Sequence, residues 1–241
     1  MQSTSRSAAI AAELRDEILR GQYRSGERLP SERDLALRYG VHRGAIREAL
    51  KRLEQLGVAH IHPGGARVAP IEEASLDVVE HILALEDPPN PQMVDQVIEV
   101  MSGLFSMAAR LCAERASDAQ REEIRGLLST ARNDMPSDDR IALMQTLGDL
   151  FVEASDNLVL KLVRRGVKTK FLEQLKAHRS QVLPPFPANQ LNFNNIGSAI
   201  EAKDGAAAAE AVLALTSEIR QHALQSITYE RERLSDEGTS S

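Results

Sequence analysis

The sequence predicts a mainly α-helical chain in two parts: a small N-terminal head of three helices and a β-hairpin, and a larger all-α body of six or seven helices. Three observations predict it. Apolar residues recur at the three-to-four-residue spacing of amphipathic helices along most of the 241 residues. The one strand-like pattern is a glycine-centred stretch at residues 58–68. Charge changes sign along the chain: residues 1–70 hold twelve basic and eight acidic side chains, net +4, and the remainder seventeen basic and twenty-seven acidic, net −10. A basic head joined to an acidic body is the distribution expected of a polyanion-binding module attached to a part that does not bind polyanions.

Apolar residues make up 42% and charged residues 27%, an ordinary globular composition that excludes a disordered or collagen-like chain. At roughly 100–200 residues per domain, the length fits two. The single cysteine, Cys112, has no disulfide partner, and its neighbours Leu111 and Ala113 predict a buried small hydrophobe in place of a nucleophile. No uncharged apolar run approaches the roughly 18 residues that span a bilayer, and the N-terminus mixes in charge where a signal peptide would be continuously apolar. A cytoplasmic protein with no membrane partner is expected. Five Phe, three Tyr and no Trp disfavour stacking platforms for single strands or sugars. There is no Gly-rich phosphate loop, paired-cysteine metal site or serine elbow, so an enzyme is not expected.

In the head, Ile10, Leu14 and Ile18 place a helix over about residues 7–20, stopped by Gly21. After the loop Gly26-Glu27-Arg28-Leu29-Pro30, Ser31 caps a short helix running through Tyr39, with Asp34 as a variant capping-box partner and Gly40 closing it. In the third helix Ile46, Ala49, Leu50, Leu53 and Leu56 share one face, while Arg43, Arg47 and Lys51 recur every four residues on another. Gly57 ends it. Val58-Ala59-His60-Ile61-His62 and Ala66-Arg67-Val68 read as strands about a Pro63-Gly64-Gly65 turn. Elements in this order make a winged helix-turn-helix over residues 1–70, which presents its third helix to the major groove of DNA. A merely solvated basic face is the competing reading. The short helix, glycine turn and Val41 anchor that precede the arginines favour the DNA-facing one.

The stretch GQYRSGERLPSERDLALRYGVHRGAIREALKRLEQLGVAHIHPGGARV, beginning at Gly21, resembles the winged-helix signature of the GntR family of bacterial transcription regulators. The resemblance implies DNA contacts from the arginine of the Pro-Ser-Glu-Arg motif, from the residues opening the third helix and from the wing tip: Arg33, His42, Arg43, Gly44, Arg47, Gly64 and Gly65. The chemistry agrees, because arginine forks onto guanine O6 and N7 or clamps phosphate, and a glycine tip lets backbone enter the minor groove. The family usually has Ser or Thr where this chain has His42, and imidazole is expected to cap poorly.

Ala69-Pro70 begins a linker, residues 71–234 are expected to form the effector-binding and dimerising body, and 235–241 a flexible tail. Helical runs fall at 73–86 and, past Asp87-Pro88-Pro89-Asn90-Pro91, at about 92–116, 118–133, 138–155, 157–177, 189–203 and 205–233. Ser117 with Gln120 offers a capping box and Asp204 a cap. The segments IEVMSGLFSMAARLCAERAS, LGDLFVEASDNLVLKLV and AIEAKDGAAAAEAV resemble the FCD effector domain of the FadR subfamily within GntR. That resemblance implies a homodimer whose bundle binds a small metabolite and so alters the separation or mobility of two heads on a palindromic operator, more often as a repressor.

Most such domains hold a metal on one Asp and three His. The motifs align Met144, Gly148, Phe193 and Leu215 with those positions, and none of these is an ordinary ligand, so neither metal nor cofactor is expected. His81, His178 and His222 have no partner at i, i+4. Two further positions usually polar in the family are Met101 and Phe105. Six apolar or small residues in one cavity suggest a greasy pocket, which resembles the metal-free fatty-acyl-CoA-responsive branch of the subfamily more than the organic-acid branch. That resemblance implies a fatty acid or acyl-CoA effector, with Lys161, Arg164, Arg165, Lys168 and Lys170 available for phosphates. Alternatively those side chains fill the hole, leaving a ligandless dimeric DNA-binding adaptor.

Overall fold

The computed structural model describes residues 2–131, 135, 137–166 and 190–239. The mainly α-helical fold, with a winged head and a helical body, is the one the sequence predicts. The chain divides into two compact units, Met1–Leu85 and Glu86–Ser241.

The head contains α1 (Gln2–Leu19), α2 (Glu32–Tyr39) and α3 (Arg43–Gln55), the strands β1 (Ala59–His62) and β2 (Gly65–Val68), a 3-10 turn at Ile71–Glu73, and α4 (Val78–Leu83). Ile10, Leu14 and Ile18 of α1 pack with Leu35, Ile46, Leu50 and Leu53 in one core. At α2, Ser31 Oγ accepts from Asp34 N at 3.3 Å and donates to Asp34 Oδ2 at 2.6 Å. Gly40 takes φ of 61° there, a left-handed closure that suits glycine. At α3 the cap is His42, whose Nδ1 accepts from Ala45 N at 3.1 Å. The imidazole therefore performs the capping role that was expected to suffer from the loss of Ser or Thr. The antiparallel hairpin pairs Ala59 with Val68 and His62 with Gly65, so Pro63-Gly64 alone forms the turn and Gly65 already belongs to β2. The loop after α1 runs beside β2, with Leu29 N on Ala66 O and Val68 N on Glu27 O, both 2.9 Å.

The run at 73–86 is not one helix. Ala74 is extended, and Ser75 N donates to Leu56 O at 2.9 Å, a tertiary bond that interrupts the local periodicity. Val78 and Ile82 then pack into the head's core, which carries the first unit past Pro70 to Leu85. His81 of α4 is partly buried and its Nε2 lies 3.2 Å from Arg15 Nη1, which donates to it. Burial first, and the Arg15 charge second, lower its pKa below the ordinary 6.5. The unfolded chain therefore takes up the proton more readily. The head should keep this contribution above about pH 6.5 and lose it as pH falls through that range. Urea midpoints measured from pH 7 to 5 are expected to fall less steeply for His81→Gln than for the parent.

The body contains α5 (Pro91–Arg115), α6 (Asp118–Leu128) and α7 (Ser137–Ala154), α8 over residues 158–166, α9 (Gln190–Glu201) and α10 (Gly205–Thr239). Asn90 Oδ1 accepts from Gln92 N and Met93 N, with Pro91 in the first turn where its missing N–H is harmless. Ser117 and Gln120 form the reciprocal capping box, and Asp204 Oδ1 accepts from Ala207 N at 2.9 Å. Helices α5 and α10 run antiparallel: Ser106 Oγ donates to Ala209 O at 3.2 Å, Arg220 forks onto Asp95 at 2.5 and 2.8 Å, and Arg231 reaches Glu86 at 2.8 Å and Pro88 O at 3.1 Å. The hydrogen bonds from Arg220 hold the Asp95 carboxyl below the usual carboxylate range. Cys112 is fully buried, which pushes its thiol up to about 11 and leaves it a small hydrophobe.

Three helix boundaries differ from expectation, the first being α1, which begins at Gln2 and not near residue 7. Helix α6 stops at Leu128, and α10 continues through Thr239, across most of the segment expected to be a loose tail. The remainder of the 157–177 run, with Lys168, Lys170 and His178, lies outside the described residues. Among the described residues no helix is long and apolar enough to cross a membrane.

Candidate nucleic-acid interface and bundle cavity

The front of α3 carries Arg43 in its first turn, Arg47 one turn on and Lys51 after that, all exposed, while Ala45, Ile46, Ala49, Leu50 and Leu53 are buried behind. Arg33 is exposed in the first turn of α2. No hydrogen bond or ion pair ties the side chain of Arg33 or Arg43 to another described residue. Arg47 differs: its Nε donates to both oxygens of Glu32, at 3.0 and 2.9 Å, which places the start of α2 beside the second turn of α3. Lys51 Nζ pairs with Glu48 at 3.0 Å.

His42 sits at the α3 N-terminus with its ring exposed. Because Nδ1 accepts a hydrogen bond, the neutral ring carries its proton on Nε2, the nitrogen directed away from the cap. Gly44 makes room for this. A Cβ there would lie 3.1 Å from His42 Nδ1, a tight approach that would crowd the cap. At the wing, Gly64 O accepts from Arg28 Nη2, and the Arg28 guanidinium lies over Gly65, whose φ of 120° favours glycine. Arg67 Nη1 donates to Gly26 O at 3.0 Å. Arg28 and Arg67 are exposed cations of the wing that sequence reasoning missed. No local pattern marks them: Arg28 is brought beside β2 by an isolated bridge to Arg67, thirty-nine residues on.

In the body, Leu215 and Phe193 are each 1% exposed and belong, with Leu147 and Phe151, to one apolar cluster against which Met144 and Phe105 pack. The Phe105 ring lies directly on Gly148, where a Cβ would come within 2.5 Å of Cε1. Met101, Leu104, Phe105, Val152, Leu160 and Val163 line a cavity of about 10 Å³, far below the roughly 300–1,000 Å³ of most ligand sites, and of the six candidate pocket residues only Met101 and Phe105 border it. Arg164 borders it, 7% exposed, its guanidinium 4.9 Å over the Phe105 ring, with Nε on Asp149 at 2.9 Å and Nη2 on Gln145 O at 3.0 Å. Arg164 is therefore buried and engaged, and Lys161 pairs with Glu153 at 2.8 Å, so neither of these two is an open phosphate partner. Asp149 and Glu153, both on α7, are the carboxylates that engage these two cations.

The residues at the family's metal positions do not fit a metal. Two are packed apolar side chains, one is a glycine covered by a ring, and the thioether of Met144 suits only soft metals. Among the described residues no cluster of three or more His, Cys, Asp or Glu is placed to hold one.

A cationic helix presented by a winged helix-turn-helix, joined to a helical body, defines a DNA-binding regulator. Residues 6–68 match the model described as bacterial regulatory proteins, gntR family, and residues 96–218 match the FCD domain. The chain belongs to the GntR family of bacterial transcription regulators and carries an FCD domain; it is a DNA-binding protein, not an enzyme. It is 30% identical over 164 residues to an uncharacterized HTH-type transcriptional regulator of Mycobacterium tuberculosis, covering 67% of this chain and 66% of that one. It is 33% identical over 132 residues to the fatty acid metabolism regulator protein of Haemophilus influenzae, covering 52% and 55%. These alignments span two thirds or less of each relative. A solved GntR family member from Pseudomonas syringae pv. tomato superposes with a TM-score of 0.49 at 19% identity, covering 96% of this chain and 89% of that one.

Proposed function

We propose that the protein binds a short palindromic operator in the cytoplasm as a homodimer, one α3 per half-site, acting as a repressor. The observation that carries this reading is the exposed pair Arg33 and Arg43, their side chains unbonded among the described residues, at the starts of α2 and α3. In this reading the winged helix of residues 1–70 contacts DNA: Arg33, Arg43 and Arg47 supply forks, His42 a phosphate donor, Gly44 close approach, and Gly64-Gly65 the wing tip. The helical body dimerises and holds the effector.

For that effector we favour a fatty acid or acyl-CoA, bound without metal between Met101, Phe105, Met144, Gly148, Phe193 and Leu215. The apolar or small character of all six positions supports it, as does likeness to a fatty acid metabolism regulator. Entry requires the Phe105 ring to leave Gly148. The packing of that ring favours a second reading, a ligandless adaptor whose cavity is filled by its own side chains. Thermal melts with and without oleate, oleoyl-CoA and Zn²⁺ separate the two. The first reading expects a lipid-induced rise of several degrees, no response to zinc and weakened operator binding. No lipid response in either assay leaves the adaptor.

A further inference from the structure

We propose that Glu32 is a positioning residue for Arg47, holding its guanidinium by Nε so that only the Nη end is offered to DNA. The inference rests on α3 reading DNA. Both Glu32 oxygens lie within 3.0 Å of Nε, so the single Nε–H is used within the head, and the four N–H bonds of Nη1 and Nη2 are left for a ligand. An arginine can fork sideways, through Nε and one Nη, or end-on through both Nη groups. Glu32 removes the first option.

Stability does not explain the pairing. The Arg47 and Glu32 side chains are 63% and 34% exposed, and pairs open to solvent contribute little. Net attraction to DNA does not explain it either, because a carboxylate beside the phosphates opposes binding. What the pair provides is order: Arg47 loses rotamer freedom before DNA arrives instead of on arrival. Arg43, with no such holder, fixes its rotamer only on the operator.

The test compares the full-length protein with Glu32→Ala, Glu32→Gln, Arg47→Ala and the Glu32→Ala/Arg47→Ala double variant, binding the selected operator and a random duplex at one salt concentration. For Glu32→Ala we expect tighter binding to the random duplex, from the lost negative charge, while the operator-to-random affinity ratio falls roughly tenfold. Glu32→Gln, whose amide oxygen still accepts from Nε, should keep most of the ratio, and in the Arg47→Ala background the Glu32→Ala change should leave the ratio where it is. An unchanged ratio in Glu32→Ala, or the same drop without Arg47, overturns the proposal. If the parent protein binds no duplex, the reading of α3 falls first and this proposal falls with it.

Discussion

Replacing Arg43 with alanine is expected to weaken operator binding by roughly 1–3 kcal/mol, about fivefold to more than a hundredfold. The N-terminal residues of a recognition helix reach the base edges, and Arg43 is the first residue of α3. It has no internal partner to give up among the described residues, so its whole hydrogen-bonding capacity is available to the ligand. The lysine variant sharpens the test. Lysine keeps the charge and loses the planar fork, so Arg43→Lys should bind random duplex as the parent does and still lose most of the operator preference. If Arg43 touches phosphate alone, both variants should instead weaken all duplexes alike, and Arg43→Ala should lower the salt slope by about one. Fluorescence anisotropy titrations at two salt concentrations distinguish these results, and undiminished operator affinity in Arg43→Ala removes the residue from the interface.

Phe193→Ala should destabilise the body by roughly 3–5 kcal/mol, the range for truncating a fully buried aromatic ring. Phe193 is 1% exposed on α9 and shares its cluster with Leu147, Ile196, Ile200 and Leu215. In a unit of about 150 residues, that loss lowers the body's melting temperature by roughly 6–20 °C. Calorimetry on the full-length chain reads it in the transition of the body. The magnitude also bears on the effector. A loss below about 1 kcal/mol would mean that the ring borders open space, which favours the ligand-binding reading. A full-sized loss means the position is packed solid, which favours the filled core.

Much of this architecture was legible because local signals and tertiary structure agree. The apolar face of α3, the Ser31, Ser117 and Asp204 caps and the left-handed closure at Gly40 are each set within a few residues of sequence, and all appear as read. What the sequence hid depends on partners far along the chain. The break at Ala74 and Ser75 follows from a bond to Leu56. The burial of Arg164 depends on α7 supplying Asp149 and the Gln145 carbonyl, and periodicity cannot tell that arrangement from a solvated basic face. The arginine stripe was visible, whereas the carboxylate that holds Arg47 was not, because Glu32 lies fifteen residues away on another helix. His42 shows the opposite error: an average preference against imidazole caps gave way to a particular geometry in which Gly44 clears the space.

The antiparallel pairing of α5 with α10 also constrains how the body is made. Its ion pairs join residues 125 and 145 positions apart. At roughly 5–20 residues per second of translation, about 6–30 s pass between the appearance of one partner and the other. Until then the side of α5 that α10 buries lacks its final cover, and such transiently exposed apolar surface is the kind that aggregates or recruits chaperones.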